Sequence, residues 1–215
     1  MSTLEDPTGF APAVRGLVRS ATEWGRLEDF ASLVCSEGET RGLIGPRELP
    51  RLWSRHLINS LSISDFISDG VRVCDVGSGA GFPGLVLAIA RPELEVTLVE
   101  SMERRTEWLR YAIDTVGVTN VEVIRARAEE LHGVKQFSVV TARAVAALDT
   151  LLRWTWPLVS PGGRVLAMKG ERAYDEVRGA QKVLRRFAAV AEVHDVASPL
   201  DGSVTNVVEV RASRR

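Results

Sequence analysis

The chain of 215 residues contains only two cysteines, Cys35 and Cys74, and only three histidines, His56, His132 and His194. Cys74 falls inside an apolar run that reads as a strand, so neither a disulfide framework nor a thiolate metal site is expected. The histidines are scattered, without the spacing of a ligand set, and no metal is expected. Purely apolar runs such as Ala144 to Leu148 fall far short of the roughly 20 residues that span a bilayer. No basic segment followed by an apolar stretch accompanies Glu5 and Asp6, so no secretory leader is expected and a cytoplasmic location follows. The formal net charge of −1 argues against a generic nucleic-acid binder.

With 45% hydrophobic residues the chain can bury a sizeable core. We expect a main domain over residues 70–215 preceded by a helical extension over residues 1–69. The charge is uneven: seven acids face three arginines between Met1 and Thr40, a balance of −4, leaving about +3 for the rest. Cations concentrate at Arg41 to Arg55 and at Arg164 to Arg186. Such patches mark either a polyanion-facing side or solvated helix faces.

Apolar residues at helical spacing predict a helix over Ala13 to Ser36 and a second through Leu49, Trp53, His56, Leu57 and Leu61. The rhythm then changes. Strands are predicted at Val71–Val76, Glu95–Val99, Val121–Arg125, Phe137–Thr141 and Arg164–Met168. Helices are predicted from Pro83, over Met102–Val116 closed by Gly117, over Ala146–Val159, and over the basic run Arg172–Ala188. Two final β-rich runs, Val190–Val196 and Val204–Val210, read as an edge hairpin. The alternation specifies an α/β fold, a mostly parallel seven-stranded Rossmann-like sheet with an antiparallel edge hairpin.

The most chemically loaded stretch is "CDVGSGAGFPG", Cys74 to Gly84, where the first strand meets its helix. Glycines there let a ligand approach the backbone. Counting glycines leaves two ligands open, because Gly79-x-Gly81-x-x-Gly84 also matches the dinucleotide fingerprint. Asp75 tips the choice: an acid two residues before Gly77 disfavours a pyrophosphate and suits the positive sulfonium and ammonium of S-adenosylmethionine. Asp75, Gly77 and Gly79 are therefore expected at a methyl-donor site. Glu100, ending the second strand, can accept ribose hydroxyl protons, or it can be a helix-starting acid favoured by the macrodipole. Ala128 and Glu129, in "ARAEEL", fall where an adenine edge is met.

At the fourth strand's tip stands "TARAVA", Thr141 to Ala146. No Asn/Asp-Pro-Pro-aromatic run and no exposed nucleophilic cysteine accompany it, so neither exocyclic amine nor cytosine C5 chemistry is indicated. Guanine N7 needs no proton removed before it attacks a methyl sulfonium, so positioning and electrostatics suffice. Arg143 and Lys169, each ending a strand, can grip phosphate, orient guanine through O6 or N7, hold the donor carboxylate, or simply pair with exposed acids. His56, on the Trp53/Leu57 face, reads as packed rather than catalytic.

These segments together resemble the bacterial 16S rRNA guanine-N7 methyltransferase family, the RsmG or GidB type, from about Trp24 to Val210. The motifs are "WSRHLINSL", "DVGSGAGFPGLVLAI", "VTLVESMERRTEWLR", "ARAEEL", "TARAVA" and "MKG". The resemblance implies a class I fold and S-adenosyl-L-methionine as donor, with Gly77, Phe82, Ala128, Glu129 and Arg143 binding it. It implies that Arg104, Arg127 and Lys169 line the RNA-facing or catalytic side, Arg143 and Lys169 being the catalytic pair. It further implies guanosine 527 in the 530 loop of 16S rRNA as target, presented by the small ribosomal subunit or its precursor, and a link between lost activity and low-level streptomycin resistance. No protein partner is expected, and a monomer is. Asn59 departs from the family's usual Asp in "HxxDSL", which leaves that position's role open. Two rival readings are a small-molecule methyltransferase and a non-catalytic nucleotide-binding protein.

Overall fold

A computed structural model describes Glu5 and residues 15–213. Its centre is a seven-stranded sheet in the order β3-β2-β1-β4-β5-β7-β6. The strands are β1 (Arg72–Val76), β2 (Glu95–Glu100), β3 (Val121–Arg125), β4 (Phe137–Arg143), β5 (Val159–Lys169), β6 (Ala189–Ala197) and β7 (Val204–Ala212). The first five are parallel; β7 runs antiparallel to both β5 and β6. The edge hairpin read from the two terminal β-rich runs is thus present, inserted so that β7 lies inside β6.

Helices cover both faces. They are α1 (Ala21–Glu37), α2 (Asn59–Leu61), α3 (Gly84–Ala90), α4 (Glu103–Val116), α5 (Leu148–Thr155), α6 (Ala173–Gly179) and α7 (Gln181–Arg186). Side chains on β1 alternate between two cores. Val73 joins Leu27, Phe30, Leu57, Leu85 and Trp108 on one face, while Cys74 and Val76 join Val140, Leu148, Leu151 and Val208 on the other. This two-sided burial is what near-continuous apolar strands demand. Leu27, Phe30 and Leu57 share the first of these cores, and the N-terminal helices pack on it through α3 and α4, the helices that cover that face of the sheet.

Four predicted helices differ in the structure, at an end or within. Helix α1 begins at Ala21, not Ala13: the Ser20 hydroxyl accepts from the Thr22 N–H at 3.1 Å and meets the Glu23 carboxylate, a capping arrangement that fixes the start. Arg15–Leu17 forms only a 3-10 turn, and Ala13 and Val14 lie outside the described residues. The helix predicted over 146–159 is shorter because Pro157 cannot continue it; a 3-10 turn at Trp156–Leu158 intervenes and β5 begins at Val159. The basic helix is two, broken at Ala180. Within Leu49–Leu61, a 3-10 turn (Leu49–Arg51) gives way to a π-helical turn over Trp53–Ile58 before α2. π-Turns recur where a helix must present a side chain to a functional site, and this one carries His56.

Candidate active site

At the carboxyl edge of β1 the chain enters the glycine loop. Gly77, Gly79 and Gly81 all take positive φ, of 74°, 56° and 112°, which L side chains adopt only at a cost. Gly77 and Ser78 both donate N–H bonds to the Val99 carbonyl, tying the loop to the end of β2. From behind, the buried Trp108 donates its indole N–H to the Ala80 carbonyl at 3.0 Å. The loop is therefore held from two sides, and Gly77 at its start lines a cavity of about 300 Å³. Gly77, Ser101, Ala128, Glu129, Val145 and Trp154 are among the residues that line it.

Two expected donor-site carboxylates lie under the loop, outside the cavity lining. Glu100 is buried, with one oxygen accepting from the Gly79 N–H at 3.0 Å and the other from the Met102 N–H at 2.9 Å. The Arg105 guanidinium stands 3.7 Å away. Asp75 is fully buried; its Oδ2 accepts from the Gly84 N–H at 3.1 Å and its Oδ1 has no hydrogen-bond partner. Burial pushes the Asp75 carboxyl up to about 7, against the pull of its hydrogen bonds and the Arg143 charge. Gly84 leaves no room for a methyl there, since an added Cβ would lie 2.6 Å from the Asp75 Cβ. Asp75 thus shapes the turn from loop into α3.

Of the other expected donor contacts, Ala128 is buried and Glu129 exposed, both on the cavity wall. Arg127, expected on the RNA side, also lines this cavity and is exposed at its lip. Arg104 is exposed on the first turn of α4.

Arg143 ends β4 within a cage that joins three segments. Its Nη2 donates to His56 Nδ1 at 2.6 Å and its Nη1 to the Arg55 carbonyl at 3.2 Å. Its guanidinium lies 5.0 Å above the centre of the Phe82 ring. Burial lowers its pKa to about 10 despite the nearby Asp75 and Glu48 charges, so it remains a cation at neutral pH. His56 in turn donates from Nε2 to Glu48 at 3.1 Å and packs on Phe82, with ring centres 5.2 Å apart. Burial, then the Arg143 cation, lowers the His56 pKa to about 4. The imidazole is therefore neutral, with both nitrogens engaged.

Lys169 ends β5 with its side chain only 8% exposed. Its ammonium bonds the Ala146 carbonyl at 2.5 Å and Glu176 at 2.8 Å, while the same Glu176 oxygen accepts from the Leu148 N–H at 2.8 Å. The structure brings Lys169 to the loop after β4, engaged in holding that loop and the start of α5. Asn59 stands apart from this cluster: its amide bonds the Thr205 hydroxyl on β7. Sequence reasoning does not single out Glu48, Val145 or Trp154. Glu48 carries no motif, and its place beside His56 depends on the helical turns between them. One further trio, Glu192, His194 and Glu209, gathers possible ligand atoms within 4.8 Å, but Arg164 and Arg211 already pair with Glu209. Among the described residues, no helix is long and apolar enough to cross a membrane.

A parallel sheet with this strand order, a glycine loop after β1 and an acid ending β2 define the Rossmann-like methyltransferase class. Solved structures agree at the level of fold. The precorrin-6y C5,15-methyltransferase of Geobacter metallireducens superposes with a TM-score of 0.56 at 14% identity, covering 80% of this chain and 91% of that one. A SAM-dependent O-methyltransferase of Thermotoga maritima gives 0.55 at 15% identity, covering 85% and 72%. Within the class, the family model for rRNA small subunit methyltransferase G, GidB, matches residues 24–199. The ribosomal RNA small subunit methyltransferase G of Beutenbergia cavernae is 50% identical over 204 residues, covering 94% of this chain and 90% of its relative. The protein of the same name from Nocardioides sp. is 46% identical over 210 residues, covering 96% and 84%. The chain belongs to the rRNA small subunit methyltransferase G family, whose enzymes use S-adenosylmethionine.

Proposed function

We propose that the chain transfers the methyl group of S-adenosylmethionine to N7 of a guanine in 16S rRNA, the family position being guanosine 527. The observation that carries this reading is the nature of the groups around Arg143. They are the Phe82 ring, the Arg55 carbonyl, a neutral His56 imidazole with both nitrogens occupied, and two carboxylates, of which Glu48 is hydrogen-bonded to His56 and Asp75 is fully buried under the loop, outside the cavity lining. A nucleophile that must first lose a proton would need a free base. Guanine N7 needs none: its lone pair forms the new N–C bond, the S–C bond breaks with its electrons left on sulfur, and the positive charge passes from sulfonium to purine. In-line positioning supplies the rest.

In this reading the donor occupies the cavity at Gly77, Ala128 and Glu129, over the Glu100 shelf, with Asp75 and Gly79 shaping the loop and Phe82 supporting Arg143. Arg143 and Lys169 act at the reacting end, one directly and the other by holding the loop of residues 144–147. Residues 15–69 serve as a cap over this edge; residues 1–4 and 6–14 of the expected extension lie outside the described residues. The cap offers Arg47, Arg51 and Arg55, exposed at four-residue spacing, and Arg55 adjoins Arg143 through its carbonyl. With Arg104 and Arg127 they make a cationic border suited to RNA phosphates. Arg185 and Arg186 instead precede β6, at the amino-terminal edge of the parallel strands, away from the site.

The test supplies methyl-labelled S-adenosylmethionine with small ribosomal subunits that lack the modification, free 16S rRNA, or a panel of small metabolites. Label in the RNA of either of the first two supports the reading. Label only in metabolites points to a small-molecule enzyme, and donor binding without turnover points to a binding protein.

A further inference from the structure

We propose that Glu48 and His56 are positioning residues that form a relay clamping the Arg143 guanidinium in one orientation across the edge between cap and donor loop. The proposal rests on the reading that places Arg143 in the site. Each link has defined donor and acceptor roles. Arginine can only donate, so His56 Nδ1 must be the bare nitrogen and Nε2 must carry the proton that goes to Glu48. The tautomer is fixed from both sides. A protonated imidazole would face the guanidinium with a second N–H and a second positive charge, which breaks the link.

The surroundings support this assignment. The charged groups facing the imidazole are Arg143, Glu48 and Arg55, and burial together with the Arg143 charge outweighs the pull of Glu48. The second arm of the clamp is main chain: the Arg55 carbonyl holds Nη1. Below, Phe82 of the donor loop packs against both the guanidinium and the imidazole. The π-turn over Trp53–Ile58 carries the His56 ring and the Arg55 carbonyl that hold the guanidinium, while Trp53 and Leu57 stay buried. An arginine held at two nitrogens and one face has few remaining orientations, and an enzyme that works by positioning gains from that restriction. Glu48 sits 35% exposed at the outer end, next to the Arg55 guanidinium at 3.5 Å, so the relay reaches the cationic border of the cap. RNA phosphates that draw Arg55 away would leave Glu48 to His56 alone and tighten the clamp.

Four variants of the full chain, His56→Ala, His56→Asn, Glu48→Gln and Glu48→Ala, test this. The first readout is the nitrogen-15 NMR signal of the Arg143 side chain, which reports hindered rotation of the guanidinium and needs no turnover. The second is kcat and KM for small subunits, beside the unfolding midpoint. His56→Ala should free the rotation and lower kcat about tenfold or more, the loss that follows from one charge-assisted hydrogen bond at ~1.5–3 kcal/mol. His56→Asn keeps an acceptor facing Arg143 and should recover most of that loss. Glu48→Ala should loosen the signal, and Glu48→Gln, which retains an acceptor for Nε2–H, should do so less. A wild-type Arg143 signal in His56→Ala overturns the proposal. Equal impairment of His56→Asn and His56→Ala, with the arginine signal intact in both, overturns it as well and leaves packing alone. If the wild type methylates no rRNA, the functional reading fails while the NMR arm still decides the clamp.

Discussion

A methyl group built on Gly77 would stand 2.9 Å from a Val145 methyl, so the donor loop and the loop after β4 are in direct contact. The 144–147 loop is itself bent by Ala144, at φ 54°, and fastened by Lys169 to Glu176. On the proposed reading, donor and acceptor sides of the site share this packed seam.

Gly77→Ala is expected to be impaired twice over. The left-handed φ of 74° costs an alanine about 1–2 kcal/mol, and the added methyl meets Val145. Calorimetric titration with S-adenosylmethionine should show affinity falling about tenfold or more, with a lower unfolding midpoint. Adding Val145→Ala should restore part of the affinity, since it removes the clash but not the strain.

Lys169 and Glu176 should behave as one unit. Alanine at either position frees the Ala146–Leu148 backbone, so the double variant should cost less than the two single losses combined, with a coupling of about 0.5–3 kcal/mol in methyl transfer. Simple additivity would mean that Lys169 acts without its partner.

The two buried titrating groups of the site pull stability in opposite directions with pH. Asp75 moves from 3.8 up to about 7 on folding, so its protonation favours the folded chain fully below 3.8 and that contribution is lost as pH rises through 7. His56 moves from 6.5 down to about 4, so its contribution is complete above 6.5 and lost as pH falls toward 4. Asp75→Asn removes the first alone and keeps an acceptor for the Gly84 N–H. In urea titrations its stability relative to wild type should improve from pH 5 to about pH 7 and level off above it. A difference that does not change over this range would place the Asp75 carboxyl at its ordinary pKa.

Legibility in the sequence follows the range of each interaction. The β1 loop, β2, α4 and β3 are readable to within a residue or so because local signals end them: Gly77 to Gly84, Glu100, and Gly117 in the left-handed region. The start of α1 is obscured because apolar spacing continues upstream of the Ser20 cap. The seam and the clamp are not readable. Arg143 and His56 are 87 residues apart in sequence, and only the three-dimensional packing of cap on sheet brings them together. Charge spacing hints at Arg41 to Arg55 as an RNA side, but the role of Glu48 depends on the turns between it and His56.

Arg47, Arg51 and Arg55 should act on RNA and not on donor. Replacing all three by Gln should reduce the steepness with which affinity for small subunits or rRNA falls with salt, by roughly 0.7–0.9 for each phosphate no longer neutralised. Donor affinity should be unchanged. An unaltered salt slope would remove this face from the RNA interface.

The most direct measurement of the central claim is positional. Small subunits lacking the modification, incubated with the protein and S-adenosylmethionine, are stripped to 16S rRNA, treated with N7-specific strand cleavage and read by primer extension. A single new stop in the 530 loop, at the family guanosine and dependent on the donor, is the result expected. Methyl label incorporated into the rRNA without any N7-dependent cleavage would contradict it, because the reacting atom would then be one other than guanine N7.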